Sequence, residues 1–204
     1  MNEFFTFMGM GIEHILQFPD GYDHLLFILA LSAIYTFSEW KKVLLLVTAF
    51  TIGHSITLLL TISGISPIPS SVIEWLIPLT IIIVCILNFI TKIKDENNQN
   101  SKKINSSIMV RRYSIALVFG LIHGLGFANY LRQMLPDSLL NPLLGFNVGL
   151  EIAQILVVLI GLGIGFVVMK YLDFTKNRWK IILSAIVLVF ALHLFVMQTL
   201  ALFE

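Results

Sequence analysis

Residues 143–169 read LLGFNVGLEIAQILVVLIGLGIGFVVM, a run whose one charged side chain is Glu151. A helix that crosses the hydrocarbon core of a bilayer needs about 20 consecutive, predominantly apolar residues. The run is longer than that. It therefore predicts a transmembrane helix and places the chain among integral membrane proteins.

Five further apolar runs are candidates for crossing the bilayer, and the first of them is short: 22–38, 43–63, 72–91, 113–133 and 180–202. Segment 4–17 is apolar but too short to span, and we expect it to lie in the membrane interface or to be half-inserted in the outer leaflet. The prediction is an all-α fold, a polytopic membrane helix bundle. It has about six transmembrane helices plus the short N-terminal helix, in one domain over residues 1–204.

The composition supports a membrane environment. Charged residues make up 12% of the chain, against about 25% in a typical soluble domain. The net charge of +1 gives no sign of nucleic-acid binding, and a single cysteine, Cys85, excludes an internal disulfide. We expect lipid to cover most of the surface. No residue pattern addresses the oligomeric state.

The basic residues are distributed unevenly between the loops. Twelve of the 13 Lys and Arg residues lie in the connections after the first, third and fifth spans. By the positive-inside rule these loops face the cytoplasm. This orientation puts both termini outside and predicts a multi-pass protein of a cytoplasmic (inner) membrane. The longest of these loops, residues 92–112, is expected to be mobile.

With this topology, the ionisable residues of the spans gather in the outer half of the membrane or near its midplane. They are His14, Asp23, His24, His54, Glu74, His123, Glu151 and His193. Ionisable groups inside a membrane are costly unless paired, and they are functional candidates by default. Imidazoles and carboxylates on separate helices at one depth suit a divalent transition metal, with Ni, Co, Zn and Cu all compatible.

Other polar residues share helix faces with two of these groups. Asn147 and Gln154 are spaced to lie on the same face as Glu151, and Ser55 is adjacent to His54. We expect Ser55, Asn147 and Gln154 to support the metal ligands. Asn147 and Gln154 are also compatible with a role that only links helices.

Glycines stand close to the same groups. Gly120 and Gly124 bracket His123, while Gly145 and Gly149 precede Glu151. Glycines at this spacing let helices approach closely, and close approach is what a site built from several helices requires.

Several of these residues also have structural interpretations. A single intramembrane histidine often links helices by hydrogen bonds, and that is the preferred interpretation of His193, whose neighbours are all apolar. Asp23 and Glu74 are also compatible with roles at helix N-termini, and Glu13 with a solvated position at the interface.

Five segments in order carry a resemblance to the HupE/UreJ family of membrane proteins, named for hydrogenase and urease accessory proteins. They are GIEHILQFPDGYDHLLF (11–27), FTIGHSITL (50–58), VIEWLIPLTIIIVCILN (72–88), FGLIHGLGFA (119–128) and FNVGLEIAQ (146–154). The resemblance implies a small polytopic protein linked to nickel or cobalt permeation. It also implies that the metal-handling residues are His14, Asp23, His24, His54, His123 and Glu151.

The chain departs from the nickel permeases of that family at one motif. Those proteins tend to have a His-Pro pair close before the Gly-x-Asp-His element, whereas here His14 is further upstream and is followed by Ile15. In this respect the chain is more similar to the second, less characterised branch.

Three functions are compatible with these features. The favoured one is a nickel/cobalt-type metal permease, although the inner half shows few polar residues, which counts against a simple channel. The alternative is an intramembrane metal-dependent hydrolase acting on a lipid or lipid-linked substrate at the outer leaflet, with Glu13, Glu74 or Glu151 as general base. In the third, non-catalytic alternative, the polar residues only lock helices together.

Overall fold

The structure, a computed structural model, describes residues 3–17, 21–64, 68–91, 99–134 and 140–203. Within them the chain forms seven α-helices and a short 3-10 turn, and no strand. The helices are α1 (Glu3–Leu16), α2 (Tyr22–Ser32), α3 (Trp40–Ile62), α4 (Ser70–Ile90), α5 (Gln99–Met134), α6 (Leu140–Tyr171) and α7 (Lys176–Leu202), and the turn is Phe37–Glu39. The all-α prediction is confirmed.

Helices α3 to α7 are long and apolar enough to cross a membrane. They contain the predicted runs that begin at residues 113, 143 and 180, and all but the last residue of the runs that begin at 43 and 72. Large apolar side chains such as Ile164, Val189 and Met197 are more than half exposed on their outer faces. A surface of this kind suits lipid and not water, so the chain is a helical membrane bundle.

Helix α5 begins earlier than the sequence predicts. Residues 99–112, which were expected to be the second half of a mobile loop, are helical and continue into the span. This stretch contains neither proline nor glycine, so nothing in it ends a helix. Residues 92–98 of the same loop lie outside the described residues.

Helix α1 packs lengthwise against the first half of α6. A side chain at Gly145 would collide with the backbone of Phe4, and one at Gly149 with that of Met8. Because the two contacts advance together along both sequences, α1 and α6 run in the same direction. This placement corresponds to the half-inserted alternative for segment 4–17 and not to a helix lying flat in the interface.

Helix α2 continues along α6 where α1 stops. It ends at Ser32, so the predicted span over 22–38 is too short to cross a bilayer alone. Leu29 and Ser32 lie against Gly161, about three turns further along α6 than Gly149. Helices α1 and α2 are therefore two halves of a discontinuous helix. Counted as one crossing, the pair gives six together with α3 to α7.

A second closely packed pair consists of α3 and α5. Gly53 lies against the backbone of Leu117, and Gly120 lies against that of Phe50. Only glycine allows two helix backbones to come this close. The pairs α1–α6 and α3–α5 thus hold the histidine-bearing helices at fixed separations.

A cavity of about 570 Å³ lies between α1, α2, α4, α5 and α7. The described residues of α1 and α7 do not pack against each other. The cavity therefore occupies the space between these two helices.

Candidate metal centre

The structure brings five of the sequence-predicted residues into one cluster. His14 stands in the last turn of α1, and Asp23 and His24 stand in the first turn of α2. The break between the two half-helices therefore places these three together. His54 of α3 and His123 of α5 come from the second closely packed pair.

The potential ligand atoms of the cluster form two overlapping groups. Those of His14, His24 and His54 lie within 4.8 Å of one another. Those of Asp23, His24 and His123 do so as well. Separations of this size let one bound ion contact several side chains after small adjustments, and His24 belongs to both groups.

Asp23 holds the His24 ring in one orientation. Its Oδ1 lies 2.8 Å from Nδ1 of His24 and accepts the His24 backbone N–H at 2.7 Å. An ionised carboxylate only accepts hydrogen bonds, so the imidazole proton is on Nδ1 and the Nε2 lone pair is free. Nε2 is buried and has no hydrogen-bond partner among the described residues. A carboxylate behind a histidine in this way is a common support for a metal ligand.

Thr80 fixes the tautomer of His123, as Asp23 does for His24. The Thr80 hydroxyl donates its one proton to the Ile77 carbonyl oxygen at 2.6 Å. It therefore accepts from Nε2 of His123, which lies 3.3 Å away. That leaves Nδ1 of His123 with a free lone pair, and this atom is buried without a partner.

His14 and His54 add further unpartnered nitrogens. Within the described parts of the chain, Nε2 of His14 and both ring nitrogens of His54 are buried without a hydrogen-bond partner, and His54 is 0% exposed. Each such atom costs about 1–3 kcal/mol, so several within one cluster require an explanation. Each neutral imidazole has one lone pair, and a divalent cation would bind one from each histidine, so the residues present fit it.

Aromatic rings enclose the cluster. Phe127 lies 4.0 Å from His14 between ring centroids, Phe50 lies 5.2 Å from His123, and Phe146 stacks on His54 at 6.2 Å. An apolar enclosure lowers the local dielectric, so interactions between an ion and its ligands are stronger than in water.

The cavity leads to this cluster. His14, Asp23, His24 and His123 line it together with Glu13 of α1 and Glu74 of α4, and the described residues of its lining include no lysine or arginine. Both glutamates are exposed. Two of the three predicted general-base candidates, Glu13 and Glu74, therefore lie on the walls of the cavity, where their charge attracts cations.

Glu151 and Gln154 lie outside the cluster and contact α3. Glu151 accepts a hydrogen bond of 2.7 Å from Thr48 and belongs to neither ligand group. The Gln154 side chain lies 2.8 Å from the Thr51 hydroxyl. These four residues join α3 to α6.

The other predicted residues have separate positions. Ser55 donates to a carbonyl oxygen of its own helix at 2.7 Å, and the Asn147 Oδ1 atom is buried without a partner. His193 is exposed on α7. The predicted link from His193 to another helix is not seen in the described part of the chain.

Thr80 and the aromatic enclosure were not singled out from the sequence. Thr80 has a weak signal, since it is a hydroxyl in the middle of an otherwise apolar run. The rings of Phe50, Phe127 and Phe146 have none, because phenylalanines are frequent throughout such helices.

One protein-family model matches a region of the chain that includes every residue of the cluster. A family model described as HupE / UreJ protein matches residues 1–199. No curated protein matches the chain, and no solved structure does.

Proposed function

Because the chain belongs to the HupE/UreJ family, whose members are nickel- or cobalt-linked accessory or permease-type proteins, we propose that it is a permease for a divalent transition metal. The transported ion would bind at the cluster of His14, Asp23, His24, His54 and His123. The observation that carries this proposal is the set of buried, unpartnered imidazole nitrogens inside a membrane helix bundle. In the orientation proposed from the basic loops, the cavity faces the outside of a cytoplasmic membrane.

The donor set favours a borderline transition metal. Several imidazole nitrogens with one carboxylate suit Ni, Co, Zn and Cu, whereas Mg and Ca prefer oxygen ligands alone. The single cysteine of the chain, Cys85, is buried on α4 and belongs to neither ligand group. A site of this kind contains no thiolate ligand, and its imidazoles still select against hard cations such as Mg and Ca.

The cavity supports capture of a hydrated ion. At about 570 Å³, the cavity is many times larger than the volume of one water, about 30 Å³, and has room for an ion with its first shell of waters. Glu13 and Glu74 concentrate cations there. The ion would lose its water only on reaching the histidines at the inner end of the cavity.

The discontinuous helix supports binding that can be reversed. The carbonyl end of α1 lies near the cluster and favours a cation, while Asp23 offsets the positive end of α2. Conduction requires binding that is strong enough to dehydrate the ion and weak enough to release it. A change in the angle between α1 and α2 would separate His14 from His24 and so weaken the site.

Uptake by reconstituted protein tests the proposal. Vesicles containing the protein should accumulate Ni²⁺ or Co²⁺ down a gradient, and His54→Ala and His123→Ala should abolish that uptake. His193→Ala is the matched control, because His193 is an intramembrane histidine outside the cluster and should leave uptake unchanged. If the wild-type protein moves no divalent metal under any gradient, the proposal is wrong.

A specific observation also favours the hydrolase alternative. The cavity is far larger than an ion and lies between α1 and α7, which do not pack together in the described residues, so an amphiphile in the outer leaflet could reach the cluster. Here the histidines would hold a resident metal, which would supply an activated water. Glu13 or Glu74, which lie on the cavity wall, would accept a proton from this water.

Metal retention separates the two functions. A metal near one per chain that survives dialysis against a chelator, together with a chelator-sensitive lipid-cleaving activity, would establish the hydrolase. A metal that washes out easily while vesicle uptake persists would establish the permease.

A further inference from the structure

We propose that Thr48, Thr51, Glu151 and Gln154 form a second, oxygen-lined cation site that receives the metal ion from the histidine cluster on its way inward. This inference rests on the proposed permease function. It concerns a part of the molecule that belongs to neither ligand group of the cluster.

The position of Glu151 follows from contacts along α3 and α6. His54 stacks on Phe146, and Thr48 donates to Glu151. Thr48 is six residues before His54 on α3, and Glu151 is five residues after Phe146 on α6. Because α3 and α6 run in opposite directions, both steps lead the same way, about 8 Å further from the outer end at 1.5 Å per residue. Glu151 is therefore the carboxylate next inward from the cluster along this interface.

The bonding of Gln154 makes it a second acceptor. The Thr51 hydroxyl lies 3.1 Å from the Val47 carbonyl oxygen and 2.8 Å from Gln154 Oε1, and it has one proton for these two acceptors. Meanwhile Gln154 Nε2 is buried and unpartnered. Exchanging the amide oxygen and nitrogen, which are assigned by their hydrogen bonds, resolves both problems. Nε2 then donates to Thr51, Thr51 donates to Val47, and Oε1 becomes a free buried acceptor.

Asn147 extends this row of oxygens toward the cluster. Its Oδ1 is buried without a partner. Asn147, Glu151 and Gln154 have the i, i+4, i+7 spacing of one helix face, which puts three oxygen acceptors on the α6 side of the α3–α6 interface. Thr48 and Thr51 supply hydroxyl oxygens from α3. A path of oxygen ligands thus runs inward from the level of Phe146.

The opposite side of the bundle is unsuited to a cation. Arg112 and Lys180 are 4% and 2% exposed, and both bind Thr91 near the inner end of α4, at 3.5 Å to its Oγ1 and 2.6 Å to its carbonyl oxygen. No carboxylate of the described residues pairs with either of them. Two buried positive charges repel a divalent ion strongly at low dielectric, so an inward path past α4, α5 and α7 is closed to it.

The chemistry of the second site suits passage and not storage. Carboxylate, amide and hydroxyl oxygens bind Ni and Co more weakly than imidazoles do. An ion would leave the nitrogen ligands for the negative charge of Glu151, which compensates for part of the lost binding. A weaker second site further inward is what release toward the cytoplasm requires.

Cobalt is the probe that tests this inference, because its visible spectrum reports its ligands while vesicle uptake reports its passage. Glu151→Gln, which keeps the shape and a hydrogen-bond acceptor for Thr48, should reduce Co²⁺ uptake at least tenfold. The same variant should keep the Co²⁺ spectrum and the binding stoichiometry of the histidine cluster. Glu151→Asp retains the charge and should restore most of the uptake. Glu3→Gln, at an exposed acid of α1, is the control for loss of one charge.

The outcomes distinguish the two proposals. Uptake by Glu151→Gln equal to that of the wild type would overturn the second site and leave the permease intact. Loss of the Co²⁺ spectrum together with uptake would also overturn it, since Glu151 would then belong to the histidine site. Absence of uptake by the wild-type protein would instead reject the permease itself. A melting temperature close to that of the wild type excludes misfolding, and Glu151→Asp retains a test if Glu151→Gln does not fold.

Discussion

His14 and His24 face each other across the junction of α1 and α2, with ring centroids 4.6 Å apart. In an uninterrupted helix, residues ten apart would be separated by about 15 Å along the axis. The break in the helix therefore creates this pair, and the pair is the centre of the proposed site.

Removal of His24 should abolish stabilisation by metal. A ligand that binds only the folded protein at 100 times its Kd stabilises it by about 2.7 kcal/mol, so adding Ni²⁺, Co²⁺ or Zn²⁺ should raise the melting temperature of the wild type in detergent. His24→Ala removes the residue shared by both ligand groups and should remove the shift. His193→Ala should keep it. A full metal-induced shift in His24→Ala would contradict the assigned cluster.

Replacement of Asp23 by asparagine should weaken metal binding without abolishing it. Asparagine keeps the shape but loses the negative charge that holds the proton on Nδ1 of His24. Loss of such a supporting carboxylate typically costs 10–100-fold in metal affinity. Titration with Co²⁺ measures this change. An unchanged affinity would mean that Asp23 supports α2 and not the metal site.

Replacement of Thr80 should act through His123 alone. Thr80→Val removes the acceptor for Nε2–H of His123, so the ring loses the contact that selects Nδ1 as its free nitrogen. Co²⁺ affinity should fall severalfold with the stoichiometry retained. Thr80→Ser restores the hydroxyl and should recover the affinity. Normal affinity in Thr80→Val, which keeps the volume of threonine, with reduced affinity in Thr80→Ser would show that side-chain volume, and not the hydrogen bond, matters at this position.

Packing of α1 on α6 should control the position of His14. In Gly149→Ala the new methyl group would collide with the Met8 carbonyl oxygen, whereas at Gly163, on the same helix, nothing lies within 4 Å. Overpacking typically costs about 1–3 kcal/mol. Gly149→Ala should therefore lower both the melting temperature and the metal affinity, and Gly163→Ala should lower neither. Normal metal affinity in Gly149→Ala would mean that His14 is not a ligand of the metal site.

Asn88 should stabilise the bundle without contributing to the metal site. It accepts from Arg112 at 2.9 Å and donates to Ser184 at 2.9 Å and to the Ala30 carbonyl oxygen at 2.7 Å. Asn88→Ala leaves several buried groups unpaired, at about 1–3 kcal/mol each, and should lower the melting temperature. Metal binding by the folded protein should be normal. Ser114→Ala, at an exposed hydroxyl, is the control.

Much of the fold could be predicted because hydrophobic length is a local property. The run at 143–169 and its four long counterparts all became long apolar helices. The prediction failed at 22–38, where α2 ends at Ser32, because apolar residues can be covered by neighbouring helices as well as by lipid. A buried half-helix and a full span therefore look alike in sequence.

The sequence by itself determined that this is a helical membrane protein, since the length of an apolar run is a local property, and it predicted histidines and carboxylates in one half of the membrane. Only the tertiary structure decided which of them meet. Glycine contacts bring α1 against α6 and α3 against α5, and the break between α1 and α2 turns His14 toward His24. Glu151 and His193 lie in the same predicted half of the membrane, yet the packing directs Glu151 to Thr48 and His193 to the outer surface. The depth of a residue in the membrane can be predicted from its own helix alone. Which residues of different helices meet depends on how the helices pack, and no local sequence pattern contains the packing.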